Sequence, residues 1–463
     1  MPPLVQALKD YDRLRRRRFH VPAHAGQNFA DSGILSDPFR FDLTELDGLD
    51  VLSEPSGCLL EAQAQTAEMF GVGHSYFLVN GATVGLMAAM LAVVKPGEKV
   101  LVSRNVHRSV LSGLILSGAE PVWFLPERLS EWGLWGSVTV ESVQAQLDAQ
   151  PDIKALFITA PTYEGIGSDI EALGRLCRER GVYFVVDEAH GSLWPFSDAL
   201  PASACRASCD VVIHSMHKSG GCLTQGALAH LPHGSKIDPD IFQQALNTLQ
   251  TTSPSYLLMA SLDSSVHYLA SEAGQARITQ IINHTLNLRQ NLVKQLKHFR
   301  LFTPQSERAN YWDPCKLYFR HPGIAGEEWA ADFEERHQIA YESASPDGAL
   351  YLANLGLAPD DFSAFQSVFL QEDRMLVPSD SSSPNVQQAE TLEPTVLLPT
   401  MAMLPRDAFF APDCRVSVEE AAGRIAKETV VHCPPGIPVL FPGEVILETH
   451  LPYLEGDSVL VIA

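Results

Sequence analysis

The chain has 463 residues, 46% of them hydrophobic and 19% charged, with a formal net charge of −22. This describes a globular chain with a sizeable core, divided into about three domains or one large and two small ones. The negative charge argues against nucleic acid or anionic membrane as a main partner, and no apolar run reaches the length of a membrane span.

The first twelve residues lack the apolar stretch of a secretory leader. The eight cysteines form no Cys-x-x-Cys pair, and no Cys/His set has zinc-ligand spacing. Reduced thiols in a cytoplasmic protein, without a metal, are expected. The arginine-rich stretch at 13–18 reads as a solvated helix face or a subunit-contact arm within an N-terminal segment, 1–50.

Residues 75–230 alternate short apolar strands with amphipathic helices. Strands are expected at 76–79, 99–102, 121–124, 155–159, 182–186, 211–214 and 226–231. Helices are expected at 82–94, 106–116, 140–150 and 170–180, the last with Gly181 just past its end. Strands apolar throughout and separated by helices indicate a mainly parallel sheet covered on both faces. This is a large α/β domain, 51–271. A helix over 272–299 links it to a smaller α+β domain, 272–377. The polar stretch 378–393 reads as a linker to a C-terminal domain, 394–463, whose turns are Pro434-Pro-Gly-Ile-Pro438 and Phe441-Pro-Gly-Glu444.

In sheets of this kind ligands collect beyond the carboxyl ends of the strands. Two chemical residues stand there. Asp187, in Asp187-Glu188-Ala189-His190-Gly191, ends one buried strand. Lys218, in Ser-Met-His-Lys-Ser-Gly-Gly at 215–221, follows the next. An amine and an acid so placed suit pyridoxal 5′-phosphate (PLP). The lysine carries the cofactor as a Schiff base and the acid pairs with the pyridinium nitrogen. Asn80-Gly81-Ala82-Thr83, at a strand-to-helix turn, offers helix N-terminal amides to a phosphate, and Ser215 and His217 can add hydrogen bonds. Ala189 is small enough for a ring to lie over it. His190 can bond the ring oxygen or a substrate carboxylate. His107, also past a strand end, can stack on the pyridine.

Ordered motifs run nearly end to end: Phe19-His-Val-Pro-Ala-His-Ala-Gly26, Asp42-Leu-Thr-Glu-Leu-Asp-Gly-Leu-Asp50, Phe77-Leu-Val-Asn-Gly-Ala-Thr83, Arg104-Asn-Val-His-Arg-Ser109, Ala160-Pro-Thr-Tyr-Glu-Gly165, Asp187-Glu-Ala-His-Gly191, Ser215-Met-His-Lys218 and Thr251-Thr-Ser-Pro-Ser-Tyr256. On these the chain resembles the Orn/Lys/Arg decarboxylases of the PLP fold-type I (aspartate aminotransferase-like) superfamily. It is similar to the short form without the receiver-like wing domain. The resemblance implies a seven-stranded, mainly parallel sheet in the large domain. It implies a decarboxylase of a small cationic amino acid, arginine to agmatine first, then lysine or ornithine. Lys218, Asp187, His107 and His217 would be catalytic, and Ala82, Thr83, Ser215 and His217 would hold the phosphate. Thr252 and Ser253 would reach the cofactor of a neighbouring subunit, making the active unit at least a dimer. Glu54, Tyr163, Glu164 and Asp169 are candidates to meet the substrate.

The chain departs from the family at Pro22-Ala23-His24, where Pro-Gly-His is usual. It also departs at Asp50-Val51, in place of an acidic pair before Leu, and at Glu54, where a His is usual. These positions are expected to lie clear of the cofactor residues. An aminotransferase or a non-catalytic regulator on the same fold are the alternatives.

Overall fold

The computed structural model describes residues 2–28, 33–304, 311–376, 398–432, 437–454 and 456–463. The expected linker lies outside the described residues, as does the start of the 434–438 turn. The central sheet has seven strands: β1 (His74–Leu78), β2 (Lys99–Ser103), β3 (Glu120–Phe124), β4 (Ala155–Thr159), β5 (Tyr183–Asp187), β6 (Val211–His214) and β7 (Ala227–Leu231). Their spatial order is β1-β7-β6-β5-β4-β2-β3, with β7 antiparallel to both of its neighbours. Alternate strand residues supply opposite faces. Val211 and Ile213 join Val100, Phe157 and Val185 on one side, while Val212 joins Leu101, Leu156 and Val186 on the other. Both faces are dry, which is why these strands read as unbroken apolar runs.

The crossovers are α1 (Gly81–Val93), α2 (Arg108–Ser117), α3 (Val140–Ala149) and α4 (Ile170–Glu179). Helix α2 starts two residues later than expected because His107 caps it: its Nδ1 accepts from the Ser109 amide at 3.2 Å. Helix α4 is capped by Asp169, which accepts from the Ala172 amide at 2.9 Å. Gly181 beyond it adopts φ +68°, open to glycine without strain. The helices Cys58–Phe70, Pro239–Leu249 and Tyr256–Ala270 had no expectation attached to them. The long helix ends at Gln295, short of 299. Both oxygens of Asp373 accept the amides of Lys297, His298 and Phe299 at 2.8 Å, turning the chain into a strand instead.

The smaller α+β unit is a four-stranded antiparallel sheet, ordered Arg300–Leu301, Lys316–Arg320, Gly348–Leu352, Ser343–Ser345. Phe319, Phe365, Phe369 and Tyr351 pack at its centre. The N-terminal strand Arg17–Arg18 pairs in parallel with Ile339–Ala340. Arg16 pairs with Glu334, and Arg17 with Asp361 at 3.1 Å. Part of the basic stretch is thus spent within the chain.

The C-terminal segment pairs Asp413–Ser417 with Ser458–Ile462 over a core that includes Leu440, Ile446 and Val461. It is clamped to the large domain by the fully buried Arg104, which bonds both oxygens of Glu444 (2.5 and 2.8 Å) and the Val439 carbonyl (2.9 Å). Two motifs 340 residues apart in sequence thereby meet.

Candidate active site

Strands β5 and β6 lie side by side in parallel, with Asp187 in register with Ile213. Beyond β6 the chain makes one helical turn, Met216–Ser219, which carries Lys218 back over the strand ends. A cavity of about 290 Å³ opens there, lined by Lys218, Asp187, His107, His190, Ser215 and His217 among others. Nζ of Lys218 lies 2.9 Å from Nε2 of His190. Burial lowers the Lys218 pKa, as does the Lys316 ammonium, while Asp187 and Glu342 oppose the shift. Burial, with Lys218 and Lys316 nearby, pushes His190 well below its ordinary range. It is therefore a neutral imidazole.

Asp187 is 4% exposed and accepts the Ala189 amide at 3.1 Å. The His107 ring is held in the cavity wall through its Nδ1, which also lies 2.8 Å from Ser109 Oγ. Its pKa is lowered, by burial first. Ser215 Oγ lies 3.2 Å from His217 Nδ1. Gly81, at φ +78°, turns the chain from β1 into α1, and Gly81, Ala82 and Thr83 line the cavity. Amides of a first helical turn have no partner inside the helix. One cavity thus offers a buried amine, a buried acid, a flat ring, a small Ala189 floor and a helix N-terminus. That set fits a phosphorylated aromatic aldehyde.

Of the substrate candidates, Tyr163 and Glu164 line the cavity. Tyr163 donates to Glu342 and sets its ring edge-on to His190, 4.5 Å between centroids. Glu164 is buried and accepts from Thr162 Oγ1 at 3.0 Å; burial raises its pKa. Glu54 is exposed and does not line this cavity within its own chain. Its loop is fixed instead by Asp50, whose carboxylate accepts the amides of Val51, Ser56, Gly57 and Leu59. Asp169 does not line the cavity either, and its carboxylate caps α4. Thr252 and Ser253 are exposed, and Thr252 flanks a small pocket shared with Val51 and Ser53.

Of the N-terminal departures, Ala23 does not lie clear of the cofactor residues. The Ala23 amide donates to the His217 carbonyl at 3.0 Å, and the Val21 amide to Glu342 at 2.7 Å. Sequence reasoning missed Glu342 and Lys316. Lys316 is 4% exposed, with Nζ 3.5 Å from His190 Nδ1. Both come from the smaller unit, and neither sits in a motif that marks it.

The architecture is that of the PLP fold-type I enzymes. The constitutive lysine decarboxylase of Escherichia coli superposes with a TM-score of 0.77 at 21% identity, covering 100% of this chain and 82% of that one. An alanine–glyoxylate aminotransferase from Nostoc sp. superposes at 0.58 and 15% identity, covering 77% and 95%. The Orn/Lys/Arg decarboxylase major-domain profile matches residues 2–312, and the profile of the C-terminal domain matches 386–456. Arginine decarboxylases of Halalkalibacterium halodurans and Bacillus subtilis are each 34% identical over 98% of this chain, covering 93% and 92% of their own lengths. The chain belongs to the Orn/Lys/Arg decarboxylase family and is an amino-acid decarboxylase.

Among the described residues no helix is long and apolar enough to cross a membrane.

Proposed function

We propose that the chain converts arginine and a proton to agmatine and CO2, a polyamine precursor-forming step, with PLP held on Lys218. The observation that carries this is the pairing of Asp187 and Lys218 at adjacent parallel strand ends around one cavity. The arginine preference rests on the full-length relatives of that name.

When bound, PLP supplies a sink for the electron pair left by departing CO2. The chain supplies the rest. Lys218 Nζ, whose pKa burial lowers, would hold the aldehyde. The Asp187 carboxylate would hold a proton on the ring nitrogen. His107 would cover one ring face, and Ala189 would leave room at the other. Gly81, Ala82, Thr83, Ser215 and His217 hold the phosphate, with the α1 dipole favouring its charge. After CO2 departs, Lys218 Nζ or His217 returns a proton to Cα. Neutral His190 offers a hydrogen bond to the substrate carboxylate or ring oxygen. Glu164 and Glu342 are the carboxylates available for the distal guanidinium, which needs a counter-charge once desolvated.

The active unit is a homodimer or larger. The exposed Thr252-Ser253 segment, which does not line its own cavity, supports this reading. The seven described cysteines are free thiols, which suits a cytoplasmic protein.

The test offers arginine, lysine and ornithine in parallel to purified protein with PLP, with Lys218→Ala as blank. Agmatine with stoichiometric CO2 is expected. Cadaverine or putrescine instead would reassign the substrate. A keto acid without CO2 would make the chain an aminotransferase.

A further inference from the structure

A second cluster of chemical side chains sits on the β6–β7 pair, outside the cavity. Leu228 lies opposite His214 in the register, so His214 and His230 share one face a diagonal step apart. Their rings are 5.1 Å apart between centroids. Cys205 joins them from the turn Ala204–Arg206. Each of the three brings one donor atom to within 4.8 Å of the others, and their exposures are 3%, 0% and 0%.

Each imidazole is tied at one nitrogen and orphaned at the other. His214 Nε2 lies 2.7 Å from the Glu188 carboxylate, and its Nδ1 has no partner. His230 Nδ1 lies 2.8 Å from Ser75 Oγ, and its Nε2 has no partner. Buried polar atoms are rarely left unpaired, because desolvation is then uncompensated. Metal-bound imidazoles are held in just this way, with the far nitrogen on a carboxylate or hydroxyl. Phe70 stacks on His230 at 4.4 Å and approaches His214 at 5.4 Å, which holds both rings in place.

We propose that Cys205, His214 and His230 bind a zinc ion. One thiolate and two imidazoles are a zinc donor set, completed by one small fourth ligand. The Cys205 thiol releases its proton as the Zn–S bond forms. The thiolate and the Glu188 carboxylate then balance the two positive charges of the ion, as burial requires. Zinc–ligand lengths place donors about 3.3–3.6 Å apart, so the side chains close by about an ångström. No sequence spacing marks this set, since its members come from a turn and two strands. The site has a structural purpose: His214 immediately precedes Ser215 and the Lys218 turn, and Glu188 follows Asp187. Zinc there pins the ends of the strands that carry the proposed cofactor residues.

The experiment measures metal content in holoenzyme produced in zinc-supplemented medium, because a fully buried site loads during folding. About one zinc per chain is expected, falling to under a tenth in Cys205→Ser and His230→Gln. Protein produced with cobalt should show a thiolate-to-cobalt charge-transfer band. These two wild-type readings stand even if a variant fails to fold. Wild-type protein without zinc, copper in its place, no thiolate–cobalt band, or zinc retained unchanged in both variants would each overturn the proposal. None of these readings depends on which amino acid is decarboxylated.

Discussion

Asp187 and Glu188 are consecutive acids with opposite surroundings. Asp187 borders an open cavity shared with Lys218, His107 and His190. The Glu188 carboxylate is consumed by Ser203, the Ala204 amide at 2.8 Å and His214, none of which lines that cavity. The same strand end thus serves an open cavity on one side and a dry, fully bonded cluster on the other. Adjacent residues of one charge are therefore no guide to shared function; the face each one meets decides.

Substitutions on the two sides should separate chemistry from stability. The largest effect is expected from Lys218→Ala, with amine formation down at least about 10³-fold and thermal unfolding little changed. Amine formation close to wild type would remove Lys218 from the chemistry. Glu188→Ala should do the reverse. It strands a hydroxyl, an amide and an imidazole in the core, at about 3–5 kcal/mol. Urea unfolding of the holoenzyme measures this, and an unchanged midpoint would mean the dry side carries no load.

Asp50, which caps the Cys58–Phe70 helix from outside the site, gives a smaller reference effect. Burial pushes its carboxyl up, but the amides of Ser56, Gly57, Val51 and Leu60 outweigh that and bring it down to about 2. Asp50→Ala should lose about 1–2 kcal/mol near neutrality. A depressed folded pKa stabilises above the unfolded value of about 3.9 and ceases to do so as pH falls through about 2. The gap between wild type and variant should therefore narrow across that window; a gap that persists at low pH contradicts the capping account.

The smallest effect is expected for His107→Ala. Loss of one ring contact, worth about 0.5–1.5 kcal/mol, weakens PLP binding about 2–13-fold by equilibrium dialysis. Loading of PLP onto the apoenzyme should also rise with pH through a midpoint below the ordinary lysine range, because burial favours the neutral Lys218 amine. A midpoint at or above that range would contradict the lowered pKa.

The cavity side was legible because its residues follow strand ends, and both sheet faces are dry, so each strand stands out as an apolar run. The seven strands fall within two residues of expectation. The smaller unit was not legible in the same way. Lys316 approaches the site from a strand and Glu342 from a bend, neither with a cue in its sequence, and the long helix stops where Asp373, some 75 residues later, takes the amides that follow it. Glu54 and Asp169 were read as acids near a substrate; one is exposed and the other is a helix cap.

By itself the sequence determined the sheet, its crossovers and the pair Asp187 and Lys218, because local hydrophobic pattern and strand-end position encode them. Only the tertiary structure decided which other charges face the cavity, how Arg104 meets Glu444, and that Cys205, His214 and His230 converge. Those depend on contacts between segments far apart in the chain, where side-chain direction and burial, rather than residue type or spacing, set the chemistry.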